Sequence, residues 1–261
     1  MTDNRGEDYA ARRARFRRLL TVYGRKAVLE ALCDPRLDCR TLHLARSNRG
    51  GTIIAELRQR AAERGVELRQ HSREALARIS RNGRQDQGVA LDVRCPSMRE
   101  LPDFLGAAPP RATLLALDGV SNPQNMGMAL RSACAAGSDG ILYADRGNPA
   151  LGPLVIKGSA GAVFRAPLLR CTDVAAGVAA CVDAGFALYR LRAGSGRSLF
   201  RERIAPRALL VLGGETEGIS PALQALPGTD LEIPMAAGVE SLNVAVAASL
   251  VAYAAAGHFD R

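Results

Sequence analysis

From Ala112 onward, short apolar runs alternate with stretches of helical spacing, and few architectures accommodate that order. TLLALD precedes MGMALRSACAAG, GILYAD stands next, AVFRAPLL precedes VAAGVAACVDAG, FALYRL follows, ALLVLG precedes SPALQAL, and LEIPM precedes NVAVAASLVAYAAAG. Runs such as ALLVLG are apolar without alternation, as in strands buried on both faces. Such strands separated by helices predict an α/β domain whose mostly parallel sheet is covered on both sides. Ligands of these sheets meet the loops that leave the C-terminal strand ends. Chemistry is therefore expected in the strand-to-helix loops of this half.

The first 111 residues read differently. Residues 1–20 contain ARRARFRRLL, in which Arg12, Arg13, Arg15, Arg17 and Arg18 surround Phe16. This is a basic arm, equally compatible with a solvated tail and with a segment that orders on RNA. From Tyr23, VYGRKAVLEAL and IIAELRQRAAERG have helical spacing, while RTLHLA, VELRQHS and QGVALDV are strand-like. A small α/β domain is expected over residues 21–95. The segment CPSMRELPDFLGAAPPRA, with four prolines, reads as a linker over residues 96–111 with at most one short helical turn. The second domain then spans residues 112–261.

Charge separates the same two halves. The formal net charge of +9 lies entirely in residues 1–111, which hold 22 Arg and one Lys against 14 acids, whereas the remainder is balanced. Such asymmetry points to a polyanionic partner for one part only, with Arg25 and the arm arginines as candidate RNA contacts. With 48% hydrophobic and 23% charged residues, the chain can build a sizeable core. No apolar run approaches a membrane span, and the arginines before Leu19 adjoin no apolar signal region, so a cytoplasmic protein is expected. The six cysteines form no CxxC pair and the three histidines share no ligand-like spacing. Metal chemistry is not expected, and the cysteines read as reduced core residues.

Three loops of the second half have unusual composition. In LDGVSNPQNMGMALRSACAAG, the strand ends at Asp118, and Asn125 can cap a helix that carries Arg131. On its own, Arg131 reads equally as a surface arginine of an amphipathic helix. In LLVLGGETEGISPALQAL, Gly213 and Gly214 permit close backbone approach to a ligand and Glu215 follows at once. Turn geometry alone accounts for the glycines but not for the carboxylate. In LEIPMAAGVESLNVAVAASLVAYAAAG, a small-residue loop after Ile233 leads to Ser241, Leu242 and Asn243. The helix that follows is apolar on nearly every face and should be buried all round, in the core or against another subunit. Ser241 by itself could be a simple cap. No loop matches GxxxxGK[ST] or GxGxxG, which removes support from triphosphate and ordinary dinucleotide binding.

Taken in order, NPQNMGMALRSA, GGETEGIS and IPMAAGVESLNVAVA resemble the SpoU branch of the SPOUT RNA methyltransferases, also called the TrmH family. KGSAGAVFRAPL, residues 157–168, belongs to the same resemblance, which covers about residues 112–258. YGRKAVLEAL and the unit after it look like the ribosomal-protein-like RNA-binding domain that precedes many of these enzymes. The resemblance implies an α/β fold with a C-terminal SPOUT-type trefoil knot, a homodimer with the active site at its interface, and S-adenosylmethionine as methyl donor. It implies backbone contacts to the cofactor from Gly213, Gly214, Ile233 and Leu242, and polar active-site roles for Asn125, Arg131, Glu215, Ser241 and Asn243. Asn122 stands where many members carry Asp before the proline, and either residue makes that turn.

The implied reaction is methylation of a ribose 2′-hydroxyl in structured RNA, with ribosomal RNA favoured over transfer RNA. A guanidinium is a poor proton acceptor, so Arg131 is expected to bind the adjacent phosphate and polarise the hydroxyl. Asn125 and Ser241 would orient the nucleotide, and Glu215 would fix Arg131 or a neighbouring amide. The alternative is a non-catalytic RNA-binding or ribosome-assembly protein of the same fold.

Overall fold

A computed structural model describes residues 18–48 and 51–259. Arg12, Arg13, Arg15 and Arg17 of the basic arm lie outside the described residues. The chain divides into two compact units, Met1–Pro96 and Ser97–Arg261.

The first unit is a four-stranded sheet with order β1-β4-β2-β3. Its elements are β1 (Leu19–Tyr23), α1 (Arg25–Cys33), β2 (Asp38–Ala45), α2 (Thr52–Glu63), β3 (Glu67–His71), α3 (Arg73–Ser80) and β4 (Val89–Arg94). β4 runs antiparallel to β1 and β2, whereas β2 and β3 are parallel. Alternation puts Leu20, Val22, Leu42, Leu44, Leu91 and Val93 on one face, all buried. Thr21, Asp92, His43 and His71 occupy the other face in a chain of hydrogen bonds: Thr21 Oγ1 donates to Asp92 at 2.7 Å, and His43 bridges Asp92 at 3.1 Å and His71 at 3.0 Å. Two histidines 28 positions apart thus meet in space, with both His43 nitrogens engaged by protein partners. Burial, then the neighbouring His43, pushes the His71 pKa below the usual histidine value.

The second unit carries a seven-stranded, all-parallel sheet with order β11-β9-β10-β6-β7-β8-β5. Strands are β5 (Arg99–Glu100), β6 (Ala112–Asp118), β7 (Gly140–Arg146), β8 (Leu168–Asp173), β9 (Ala187–Leu191), β10 (Arg207–Gly213) and β11 (Thr229–Leu231). Helices are α4 (Leu101–Leu105), α5 (Pro123–Ala136), α6 (Pro153–Gly158), α7 (Val174–Asp183), α8 (Pro221–Gln224) and α9 (Val244–Ala255). From β6 the chain winds to β7 and β8 on one side, then crosses to β9 and β10 on the other. The reversal puts Asp118 and Gly213 side by side at the C-terminal ends of β6 and β10. That is the switch point at which such sheets hold ligands.

The structure departs from the sequence reading in several places. Residues 97–111, read as a linker, contain β5 and α4, and Leu101 and Phe104 join the core with Leu114, Leu142 and Val178. Pro102 does not break α4 because it occupies the first turn, where a missing N–H removes no intrahelical bond. AVFRAPLL is not a strand throughout: Ala162–Phe164 form a 3₁₀ turn, and β8 begins after Pro167. Ala160 and Gly161, with φ of 48° and 78°, turn the chain there. Within its own chain α9 buries one face, through Val244, Ala245, Ala248, Val251 and Ala252, while Val246 is 49% exposed, so of the two expected ways to bury this helix the core accounts for one face.

The residues 157–168 explain themselves by packing. A Cβ on Gly127 would come within 2.5 Å of Val155 O, and one on Gly158 within 2.8 Å of Gln124 O, so α5 and α6 touch backbone to backbone. Ser159, fully buried, donates to Ile156 O and accepts from Val163 N.

Candidate active site

Asn122, not Asn125, caps α5: its Oδ1 accepts from Gln124 N at 2.8 Å and Asn125 N at 3.2 Å, with Pro123 as the first helical residue. Pro123 supplies a preset φ and lacks the N–H a cap would need to satisfy. Asn125 is thereby moved into the first turn, where it is 7% exposed and its side chain is free for other partners.

Those partners are the other two loops. Asn125 Nδ2 donates to Glu215 Oε1 at 2.7 Å. Asn243 Nδ2 donates to the same oxygen at 3.2 Å and to Asn125 Oδ1 at 3.3 Å. Asn243 Oδ1 accepts from Ala245 N and Val246 N, so one side chain caps α9 and ties it to α5 and to the loop after β10. A carboxylate oxygen shared by two amides locks three sequence-distant segments in one geometry. Glu215 is therefore fixed by Asn125 and Asn243 rather than paired with Arg131.

Gly213 and Gly214 make their close approach to protein backbone. A Cβ on Gly213 would fall 2.1 Å from the carbonyl carbon of Gly218, and one on Gly214 would fall 2.4 Å from Gly119 O. Nearby, Asp118 accepts from Ser220 N at 2.7 Å, joining the end of β6 to the start of α8. Ser220 and Pro221 begin α8, and the Ser220 side chain makes no capping bond.

These loops wall a cavity of about 290 Å³. Gly213, Gly214, Ile233 and Leu242, the four residues expected at a cofactor, all line it, as do Glu215 and Ser241. Sequence reasoning missed Leu191, Arg192 and Ala193, which enter from the end of β9. Their signal was positional, since FALYRL ends where a strand next to the switch point must end.

Arg131 opens on a neighbouring groove of about 540 Å³ between α5 and α9, shared with Met128, Ser132, Asn243, Val246 and Tyr253. It is exposed and has no hydrogen-bond or ion-pair partner among the described residues. Asn243 lines the groove and its partner Glu215 lines the cavity, so the two depressions are joined through one hydrogen bond. Burial pushes the thiols of Cys95 and Cys181 up to about 12 and that of Cys134 up to about 11, which leaves these three as poor nucleophiles. Among the described residues no three His, Cys, Asp or Glu side chains gather as metal ligands do.

Comparison with known proteins decides the family. Residues 112–253 match the SpoU rRNA methylase family, and residues 21–98 match the domain described as RNA 2′-O ribose methyltransferase substrate binding. The chain belongs to the SpoU family of RNA methyltransferases.

Among its SpoU relatives, a protein of Mycobacterium bovis named as an uncharacterized tRNA/rRNA methyltransferase is 34% identical over 233 residues, covering 88% of this chain and 72% of the relative. A Mycolicibacterium vanbaalenii protein of the same name is 32% identical over 250 residues, covering 93% and 79%. A solved structure from Porphyromonas gingivalis, assigned to the TrmH family of RNA methyltransferases, has a TM-score of 0.61 at 27% identity and covers 95% of this chain and 92% of its own. The AdoMet-bound rRNA methyltransferase of Sinorhizobium meliloti shares the fold, with a TM-score of 0.63 at 21% identity, covering 98% of this chain and 91% of its own. No described helix of this SpoU chain is long and apolar enough to cross a membrane.

Proposed function

We propose that this chain transfers a methyl group from S-adenosylmethionine to a ribose 2′-hydroxyl of structured RNA, with ribosomal RNA as the substrate class. The observation that carries the reading is the junction of Asn125, Glu215 and Asn243 between the cavity and the groove that holds an unpaired Arg131. The description of the matched N-terminal domain, RNA 2′-O ribose methyltransferase substrate binding, supports the ribose as the acceptor.

The cavity residues fit the methyl donor. At about 290 Å³ it stands near the lower end of small-molecule sites, and Leu191, Leu212, Ile233 and Leu242 offer the apolar walls a purine needs. Glu215 and Glu240 add carboxylates that suit a sulfonium cation. When bound, S-adenosylmethionine supplies a methyl group already activated by positive charge on sulfur.

The protein's work is then positioning and the management of one proton, which leaves the hydroxyl for solvent water as the oxygen takes the methyl group. Arg131 binds the phosphate beside the target ribose and lowers the pKa of its hydroxyl, a task for a permanent cation with several N–H donors. Ser241 O–H, without a partner among the described residues, contacts the nucleotide from the cavity side. Asn125 is held by Glu215 and Asn243 and sets the geometry of the floor between them.

The same reading includes a trefoil knot formed by the C-terminal segment and a homodimer that completes the groove. Supporting the dimer, Met128 and Val246 stand 41% and 49% exposed on facing helices. The test is to incubate the protein with methyl-labelled S-adenosylmethionine and bulk bacterial RNA, then digest the RNA to nucleosides. Label is expected in 2′-O-methyl nucleosides, and label confined to methylated bases would overturn the ribose assignment.

A further inference from the structure

Four loops of the first unit converge at one end of its sheet, where β1, β2 and β3 finish and β4 begins. Arg25 ties three of them together: its backbone N–H donates to Gln87 Oε1 at 3.0 Å, its Nε donates to Gln87 O at 3.4 Å, and its Nη2 donates to Asn48 Oδ1 at 3.2 Å. Asn48 Nδ2 in turn donates to Gly88 O at 2.6 Å, and Arg46 N donates to His71 O at 2.9 Å. On the same edge Asn82 Nδ2 donates to Tyr23 Oη at 3.1 Å and to Gln85 Oε1 at 3.2 Å. Arg81 and Gln87 hold left-handed backbone, with φ of 55° and 53°. Gln87 is kept in this strained conformation by its two bonds to Arg25.

The charge on this edge is one-sided. Elsewhere in the unit five arginines sit beside acids, Arg36 with Asp34, Arg40 and Arg94 with Asp38, Arg60 with Glu63, and Arg69 with Glu67, while Arg64 donates to backbone carbonyls and only Arg18, Arg58 and Arg78 are scattered without an ion pair among the described residues. At the edge, Arg25, Lys26, Arg46, Arg81 and Arg84 have no carboxylate partner among the described residues. Asp86, fully buried beneath them, is engaged by Ser80 Oγ, Gly88 N and Arg73. Unmatched cations on a rigid frame of hydrogen bonds, interleaved with the exposed amides of Gln85 and Gln87, suit a chain of phosphates whose bases lie close by.

We infer that this edge is a surface on which the first unit grips the RNA backbone of the substrate. The inference rests on the RNA-methyltransferase reading and names where the RNA is held. Arg25 is a preorganised member, its guanidinium already oriented by Asn48 and Gln87. Arg46, Arg81 and Arg84 are the outer phosphate contacts.

The test compares two double variants of the full chain that lose the same charge. Arg46→Gln with Arg84→Gln removes two exposed edge cations, and Arg58→Gln with Arg60→Gln removes two from the exposed surface of α2. Affinity for labelled fragments of bulk bacterial ribosomal RNA is titrated against salt, alongside methyl transfer over RNA concentrations up to saturation. The edge pair should weaken binding by roughly tenfold or more and lower the salt slope by about two, as expected for two lost phosphate contacts. The α2 pair should leave affinity, salt slope and turnover nearly unchanged, and the edge pair should need roughly tenfold more RNA for half-maximal methyl transfer. Equal losses in the two variants, or wild-type affinity in the edge pair, would overturn the assignment. If the wild type fails to methylate ribose while the edge pair still loses RNA selectively, the chemical reading fails and the surface stands.

Discussion

Asn125, Glu215 and Asn243 each stood out in the sequence by composition, but their union did not. Asn125 lies 90 positions from Glu215 and 118 from Asn243, and only the adjacency of β6 and β10 brings the loops together. The sequence assigned the α5 cap to Asn125 because it looked for a polar residue before the helix, whereas Pro123 requires the cap one residue earlier, at Asn122. It also gave Glu215 the task of fixing Arg131 or a neighbouring backbone amide, and the side-chain amides of Asn125 and Asn243 occupy that carboxylate. Arg131 is left free to meet substrate. Replacing Arg131 by Ala should lower methyl transfer by on the order of a thousandfold, the scale of losing a transition-state donor. Cofactor affinity by calorimetry should stay nearly unchanged, because Arg131 lines the groove and not the cavity. Arg131→Lys should also be slow, since an ammonium lacks the planar fork. Wild-type turnover in either variant at saturating RNA would remove Arg131 from the reaction.

At the level of elements, periodicity found the long helices and the short α8, missed α3 and α6, and allowed α4 only as one turn of a linker. α4 and α6 span 5 and 6 residues and begin with proline in the first turn, a feature that reads as a breaker until the position is known. α9 was legible as a helix, but its composition of alanine and valine concealed which face meets the core. That distinction decides how to test the dimer. Ala248 is fully buried within its own chain, so Ala248→Glu should cost about 3–5 kcal/mol of folding stability whether or not a dimer forms. Val246 faces the open groove, so Val246→Glu should change stability by no more than about 0.5 kcal/mol and yield a folded monomer without methyl transfer. Sedimentation and thermal unfolding of both variants check this, and an active dimer of Val246→Glu would exclude α9 from the interface.

At the scale of the whole molecule, the net charge of +9 falls within the first compact unit, while the proline-rich segment read as a linker belongs from Ser97 onward to the second. Prolines at 96, 102, 109 and 110 suggested a linker, yet Leu101 and Phe104 between them are 2% and 5% exposed in the second core. A fragment starting at Ser97 should therefore fold and bind S-adenosylmethionine. One starting at Arg111 should be less stable by several kcal/mol, at about 1.5–3 kcal/mol for each of the two lost side chains. Equal thermal midpoints for the two fragments would show that α4 contributes nothing to that core. The most direct measurement of the central claim is a ribose-methylation map of ribosomal and transfer RNA from cells that carry the wild-type gene, no gene, or the Arg131→Ala variant. The expected result is a ribosomal RNA ribose that is methylated with the wild type alone. A map identical in all three strains, or a methyl group that persists with Arg131→Ala, would contradict it.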